Sequence, residues 1–359
     1  MSHFLPKRWL VSRRAITNKR PYGYYSSWSM RGQYPSLSTS SSLLLFHDNC
    51  HRWSSSSVEK VVSTEASRTI PTTTSSSATS SSVSSQEVSK FSNWSSSWWD
   101  SSNNPLMAMN PTRVEYIRQH CSFYNNNTKQ DSSSILANQK REEVGLRPFR
   151  VLDVGCGGGL LTESLYRLGV RRNTNIPFHV MGIDPSPNLI SCAMSHADNL
   201  PIDYRVMTIE ELVKMREQHY NNDDPDDDSL SFQLICCLEV LEHVTDVNSI
   251  IKSVSQLLDP TNGIFVASTI NSTWKAHALG VVGAESIMGY LPPGTHDPTK
   301  FQSPTQVEQV VQRYGMEPAG PPMGMVLSGL PPPMGPWRWK LSTTDLDVNW
   351  IGCYRHCKS

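Results

Sequence analysis

This chain of 359 residues has no C-x-x-C pair among its eight cysteines, no acidic residue before Asp48 and no apolar run of membrane-spanning length. Each absence excludes something. Without paired cysteine spacing, the common zinc and dithiol motifs are missing, and Cys236 and Cys237, adjacent in an apolar run, read as buried free thiols. Cys353 and Cys357 stand close together but lack partners for a metal site. A membrane helix needs about 18 or more apolar residues, and the apolar string at residues 43–46 is far too short. The formal net charge is zero, so no basic excess marks nucleic acid as a partner.

The acid-free amino-terminal stretch is basic and serine-rich, with Lys7, Arg8, Arg13, Arg14, Lys19, Arg20 and Arg31. Trp9, Leu10, Val11 and Ile16 could share one face of a short helix. That make-up predicts a mitochondrial transit peptide over residues 1–50. Residues 51–89 are serine- and threonine-rich and cannot bury a core, so they read as a disordered linker. Aromatic residues from Phe91 to Trp99 place the start of the folded domain, 90–359, near Ser89.

Within that domain, residues 151–159 read VLDVGCGGG. An apolar β-type run passes through Asp153 into Gly155, Gly157, Gly158 and Gly159. Leu160, Leu161, Leu165 and Leu168 then recur at helical spacing. Strand, glycine turn and helix make the first unit of a doubly wound α/β sheet, whose strand ends form a ligand crevice. The dinucleotide fingerprint G-x-G-x-x-G fails, because its sixth position is Leu160. The pattern D-x-G-x-G-x-G at Asp153, Gly155, Gly157 and Gly159 resembles that of S-adenosylmethionine-dependent methyltransferases. Asp153, Gly155 and Gly157 are therefore candidate cofactor-binding residues.

Residues 178–183 (FHVMGI) read as a second strand ending at Asp184, where an acidic side chain suits ribose hydroxyls. Residues 204–207 form the third strand, and Thr208 to Glu210 offer a place for an adenine. Before the first strand, Asn110 and Pro111 read as the cap and first turn of a helix carrying Arg113. Arg113 could reach an anionic ligand group. A fourth strand over residues 232–238 ends at Glu239, Glu242 and His243. If the chain turns helical there, the spacing puts all three on one face, a donor set for a hard divalent cation. The same string suits a methyltransferase that needs no metal, and both readings stand. Residues 263–268 form the fifth strand, and the last strands fall near 323–327 and 348–354. Residues 274–291 are apolar on one helical face yet too polar and glycine-broken to span a bilayer, which predicts a core helix or an active-site cover touching membrane.

Taken in order, WWD, MNPTR, VLDVGCGGG, GIDPS, CLEVLEHV, VVGAE and GTHDPTKF over residues 98–301 resemble the ubiquinone-biosynthesis O-methyltransferase family in its mitochondrial form. The resemblance implies a Rossmann-like methyltransferase sheet of seven strands, mostly parallel with an antiparallel last strand. It places Arg113, Gly155, Asp184 and Leu238 on cofactor-contacting positions, and Glu239, Glu242 and His243 on metal positions, with Mg2+ as the divalent ion. It implies transfer of a methyl group from S-adenosylmethionine to a phenol or catechol oxygen of a polyprenylated ubiquinone precursor, at both O-methylation steps. The implied setting is the matrix side of the mitochondrial inner membrane, as a peripheral member of a multi-subunit biosynthetic complex. His296, beside Asp297, is a weaker candidate for a general base. The family's late aromatic-asparagine-proline string is replaced here by residues 326–330 (VLSGL). Two other readings remain: a metal-free methyltransferase acting on carbon or another small molecule, and a non-catalytic lipid-binding subunit.

Overall fold

The computed structural model describes residues 82–100, 104–124, 148–171, 176–222, 230–278, 297–329 and 338–358. All fall within one compact unit, Ser75–Ser359. The parallel half of its sheet comes first: β1 (Phe149–Val154), β2 (Phe178–Asp184), β3 (Asp203–Val206), β4 (Leu234–Leu238) and β5 (Ile264–Ile270). These alternate with α3 (Leu160–Val170), α4 (Pro187–Ala197), α5 (Ile209–Asn222) and α6 (Val247–Leu257). Ahead of them stand α1 (Ser85–Ser92) and α2 (Pro105–His120), and after them α7 (Pro304–Arg313). The chain closes with β6 (Met316–Pro318), β7 (Met323–Leu327), β8 (Trp339–Ser342) and β9 (Asn349–His356).

The strand order is β3-β2-β1-β4-β5-β9-β7-β8, with β6 pairing beside β9. The first five strands are mutually parallel, and β9 runs antiparallel to β5. Among the described residues the sheet therefore has nine strands rather than seven. The two additional ones, β6 and β8, are three and four residues long, too short for a periodic signal. β6 is held by pairing to β9, some way along the chain, and β8 by pairing to β7, the strand just before it.

Period-two alternation builds the two faces. In β4, Ile235 and Cys237 join Leu152, Ile250 and Val307 on one face. Leu234, Cys236 and Leu238 join Met109, Ile117 and Leu165 on the other. Helices α5, α6 and α7 cover the first face, while α2 and α3 cover the second. Both faces of β1, β4, β5 and most of β2 are buried, as parallel sheets require, while the edge strand β3 stays partly exposed. Cys236 and Cys237 are buried and free, and Cys353 and Cys357 are also unbridged.

Two helix starts differ from the sequence expectation. Helix α2 begins six residues earlier than Pro111, with Asn104 as its cap and Pro105 in its first turn. Asn104 Oδ1 accepts from Leu106 N at 3.0 Å, the same Asn-Pro signal placed upstream. Pro111 lies inside the helix, exposed, and Asn110 is freed from capping to donate to Ser164 Oγ at 2.8 Å. Order also begins before Ser89. Val83 bridges Val244, and α1 starts at Ser85.

Candidate active site

The chain visits β1, β2 and β3 in one direction, then returns to place β4 on the other side of β1. Such a reversal leaves a crevice at the carboxyl ends of the two central strands. The glycine turn follows β1, and Glu239 follows β4, so both candidate motifs meet at this crevice. A cavity of about 150 Å³ opens there, lined by Arg113, Gly155, Gly157, Asp184, Leu238 and Glu239 among others.

The turn is held from β2. Gly155 and Cys156 donate backbone N–H groups to Ile183 O at 2.8 and 3.0 Å, and Gly157 N donates to Asp184 Oδ2 at 3.0 Å. Gly155, Gly157 and Gly159 have φ of 68°, 55° and 87°, the left-handed region that favours glycine. Gly158 does not, and its reason is different: a Cβ there would stand 2.4 Å from the Trp98 ring.

Asp184 also accepts from Ser186 N at 2.8 Å. Burial pushes its carboxyl up to about 6 despite those two backbone donors. Each oxygen keeps a lone pair for a ribose hydroxyl. Asp153 is different. It lies beneath the turn and accepts from Thr162 Oγ1 at 2.5 Å, so it ties the strand to α3. Burial raises it to about 7, against the pull of Thr162 and the Arg113 charge. Arg113 is buried, its Nη2 stands 3.5 Å from Glu239 Oε1, and neither Nε nor Nη2 has a hydrogen-bond partner among the described residues. Its place in the cavity wall fits an anionic ligand group. Met207, Thr208, Ile209 and Glu210 close the end of the cavity at β3, where the adenine was expected.

Glu239, Glu242 and His243 do not lie on one helical face. Glu239 takes a φ of 56°, and only Leu241–His243 form a short 3-10 turn. Tertiary pairing divides the three. Glu239 accepts from Ser268 Oγ at 2.6 Å and Asn349 Nδ2 at 3.1 Å, and Glu242 accepts from Thr269 Oγ1 at 2.6 Å. His243 Nδ1 donates to Glu87 Oε2 at 3.2 Å. Among the described residues no three His, Cys, Asp or Glu side chains form a group able to hold a metal. The two carboxylates nevertheless act on one another: burial and then the Glu239 charge raise Glu242 to about 7, while His243 opposes them. A left-handed glutamate at a strand end is backbone strain at a functional crevice.

His296 lies outside the described residues. Its neighbour Asp297 caps a short turn, accepting from Thr299 N at 3.0 Å. Of residues 274–291 only 274–278 are described, and Trp274 there is 83% exposed. Among the described residues no helix is long and apolar enough to cross a membrane.

Sequence reasoning missed one wall. Val83, Glu87, Val88, Phe91 and Trp98 line the same cavity from the amino-terminal segment. Phe91 meets His243 edge to face, with ring centroids 4.7 Å apart. Trp99 Nε1 donates to Gly158 O at 3.0 Å while its ring stacks on His196 at 3.4 Å. Four aromatic residues inside a serine-rich stretch were the available signal. They marked order, but not what the order covers.

A glycine turn held by an acidic residue from the next strand, in this strand order, defines an S-adenosylmethionine-dependent methyltransferase. Residues 124–319 match the methyltransferase domain family. The ubiquinone biosynthesis O-methyltransferase of Rhodopseudomonas palustris is 39% identical over 269 residues, 74% of this chain and 90% of that protein. Its namesake from Cereibacter sphaeroides is 35% identical over 271 residues, 74% of this chain and 93% of the relative. The magnesium protoporphyrin IX methyltransferase structure from Synechocystis PCC 6803 with bound SAH aligns over 70% of this chain and 99% of its own, at 15% identity and a TM-score of 0.37. The chain belongs to the ubiquinone biosynthesis O-methyltransferase family.

Proposed function

We propose that this chain methylates a phenol or catechol oxygen of polyprenylated ubiquinone precursors, at both O-methylation steps of ubiquinone biosynthesis. The observation that carries the reading is the Arg113–Glu239 pair at 3.5 Å. It joins the wall built for a charged cofactor to the rim where two carboxylates and an imidazole stand. The names of the curated relatives support the substrate class.

S-adenosylmethionine supplies a methyl group already electrophilic on its sulfonium, so the protein's task is orientation for in-line attack. Asp184 would accept from the ribose, Arg113 would meet the carboxylate, and Leu238 would pack against the apolar part. A phenol with a pKa near ~10 is mostly protonated at neutral pH. Activating it calls for a base or a cation near the rim.

Two carboxylates and an imidazole are donor types that a divalent cation such as Mg2+ takes, although among the described residues they are not gathered into a site. Burial, and after it the nearby Glu239 charge, raises Glu242. Glu239, Glu242 and His243 would hold the ion after leaving their present partners. A bound cation would lower the pKa of a coordinated catechol hydroxyl. His296 is the base that the metal-free alternative would use.

The reading extends to place. Residues 1–50 would target the protein to mitochondria and 51–81 would tether it. The folded domain would work on the matrix face of the inner membrane within a multi-subunit complex. The acid-free basic segment and the exposed Trp274 support this. The test is the full chain with labelled S-adenosylmethionine and a short-tailed catechol precursor, with and without magnesium. Methylated product that depends on magnesium is expected. Undiminished activity in excess chelator would remove the metal, and absence of O-methyl product would remove the function.

A further inference from the structure

Trp98 belongs to none of the cofactor positions named so far, yet it lines the same cavity as Arg113. Its side chain is 8% exposed, and its indole Nε1 is buried with no hydrogen-bond partner among the described residues. The ring lies across the glycine turn. A Cβ on Gly157 would stand 2.4 Å from Trp98 Cζ2, and one on Gly158 would stand 2.8 Å from Nε1. Arg113 carries two further buried nitrogens without a hydrogen-bond partner among the described residues, Nε and Nη2. A buried donor without an acceptor is costly, and native proteins leave few of them. Arg113 Nη2 faces Glu239 Oε1 at 3.5 Å, which leaves Trp98 Nε1 and Arg113 Nε, two buried donors on one cavity wall, to be met by an anion.

We propose that Trp98 is a cofactor-binding residue: its indole N–H and the Arg113 guanidinium together take the carboxylate of an α-amino-acid ligand. In the reading above, on which this rests, that group is the carboxylate of S-adenosylmethionine. The indole face meanwhile covers the backbone of the turn and keeps water from it.

The two donors are also fixed relative to each other. Asn104 Nδ2 donates to Trp98 O at 2.8 Å, and the same side chain caps α2, the helix that carries Arg113. Trp99 adds a second anchor through its bond to Gly158 O at 3.0 Å. A donor pair set in advance on one carboxylate binds without the cost of ordering long side chains.

The structural alternative is that Trp98 only packs on the turn. Two probes separate the cases: S-adenosylmethionine, and its decarboxylated analogue, which keeps the sulfonium, ribose and adenine. Calorimetry with the full chain measures both. Trp98→Phe keeps an aromatic face and removes the N–H. It should weaken S-adenosylmethionine binding roughly tenfold or more, the scale of a hydrogen bond to a charged group. Binding of the decarboxylated analogue should change less than about twofold, since it offers no such acceptor. Arg113→Met should show the same selectivity. If Trp98→Phe does not fold, Trp98→Tyr provides a second ring without an indole N–H. Equal weakening of both probes, or unchanged affinity for S-adenosylmethionine, overturns the assignment. Wild-type chain that binds neither probe overturns the cofactor reading and the assignment with it.

Discussion

Glu87 and His243 stand 156 positions apart in sequence, and His243 Nδ1 donates to Glu87 Oε2 at 3.2 Å. This bond fastens α1 to the turn that follows β4 and closes one side of the cavity that Arg113 and Asp184 line. The His243 bond, with Lys90 adding to it, holds the Glu87 carboxyl at about 2 against the opposing effect of burial. A depressed carboxylate stabilises the fold above its ordinary titration range and loses that contribution as the pH falls from about 4.5 toward 2. Glu87→Ala should therefore cost about 0.5–1.5 kcal/mol at pH 7 and progressively less in acid. Thermal melts across that range check the trend. Faster proteolysis within α1 should accompany it.

The boundary of the folded domain follows from the same contacts. Thr245 N donates to Ser82 O at 2.8 Å, and Ser82 Oγ bonds to Glu210. A chain beginning at Ser82 should keep its melting temperature and cofactor affinity. One beginning at Ser89 lacks Val83 and Glu87 and should lose both in part. Equal melting temperatures for the two would show that the segment adds nothing.

The cofactor role proposed for Asp184 predicts a pH-dependent affinity. Its carboxyl is raised to about 6, so it is neutral at pH 5 and ionised at pH 8. Ribose hydroxyls donate better to the ionised form, so S-adenosylmethionine should bind more tightly as the pH rises through 6. Asp184→Asn should weaken binding by about 1.5–3 kcal/mol at pH 8 and flatten that profile. A steep profile surviving in the variant would assign the effect elsewhere.

Glu242 distinguishes a metal site from a buried polar cap. Its folded pKa of about 7 lies above the ordinary 4.5, so ionisation opposes folding between those values. The contribution is present at low pH and lost as the pH rises through 7. Glu242→Gln should melt at or above the wild-type temperature at pH 8, with the gap closing toward pH 4. Magnesium should raise the wild-type melting temperature and leave the variant nearly unmoved, while turnover falls. A magnesium response equal in both proteins would discard Glu242 as a ligand.

Gly158 tests the aromatic cover. Its φ is ordinary, so Gly158→Ala should cost about 1–3 kcal/mol through collision with the Trp98 ring alone. Combining it with Trp98→Ala should be less than additive, because the second change removes the clash. Full additivity in denaturant melts would place the strain in the turn itself.

The sequence alone determined the parallel half of the sheet and the glycine turn. In β4, Leu234 to Leu238 are apolar without interruption, as two covered faces demand, and local composition records that directly. Gly155, Gly157 and Gly159 were legible because positive φ excludes most other residues. The acidic end of β2 was legible for a similar reason, as a charge closing an apolar run.

Tertiary structure decided what depended on partners far along the chain. Nothing local distinguishes Asn104-Pro105 from Asn110-Pro111 as a helix start. Packing chose the first, where Asn104 could also bind Trp98 O. The spacing of Glu239, Glu242 and His243 suggested one helical face. Bonds to Ser268 and Thr269 instead hold the two carboxylates against β5, while the imidazole turns to Glu87 on α1. The wall formed by Glu87, Phe91 and Trp98 left no periodic pattern, because a short strap gains its burial from the cleft it covers. A sequence records each residue's own preference for a backbone state. Which distant surface completes a cavity is settled only when the sheet brings its strand ends together.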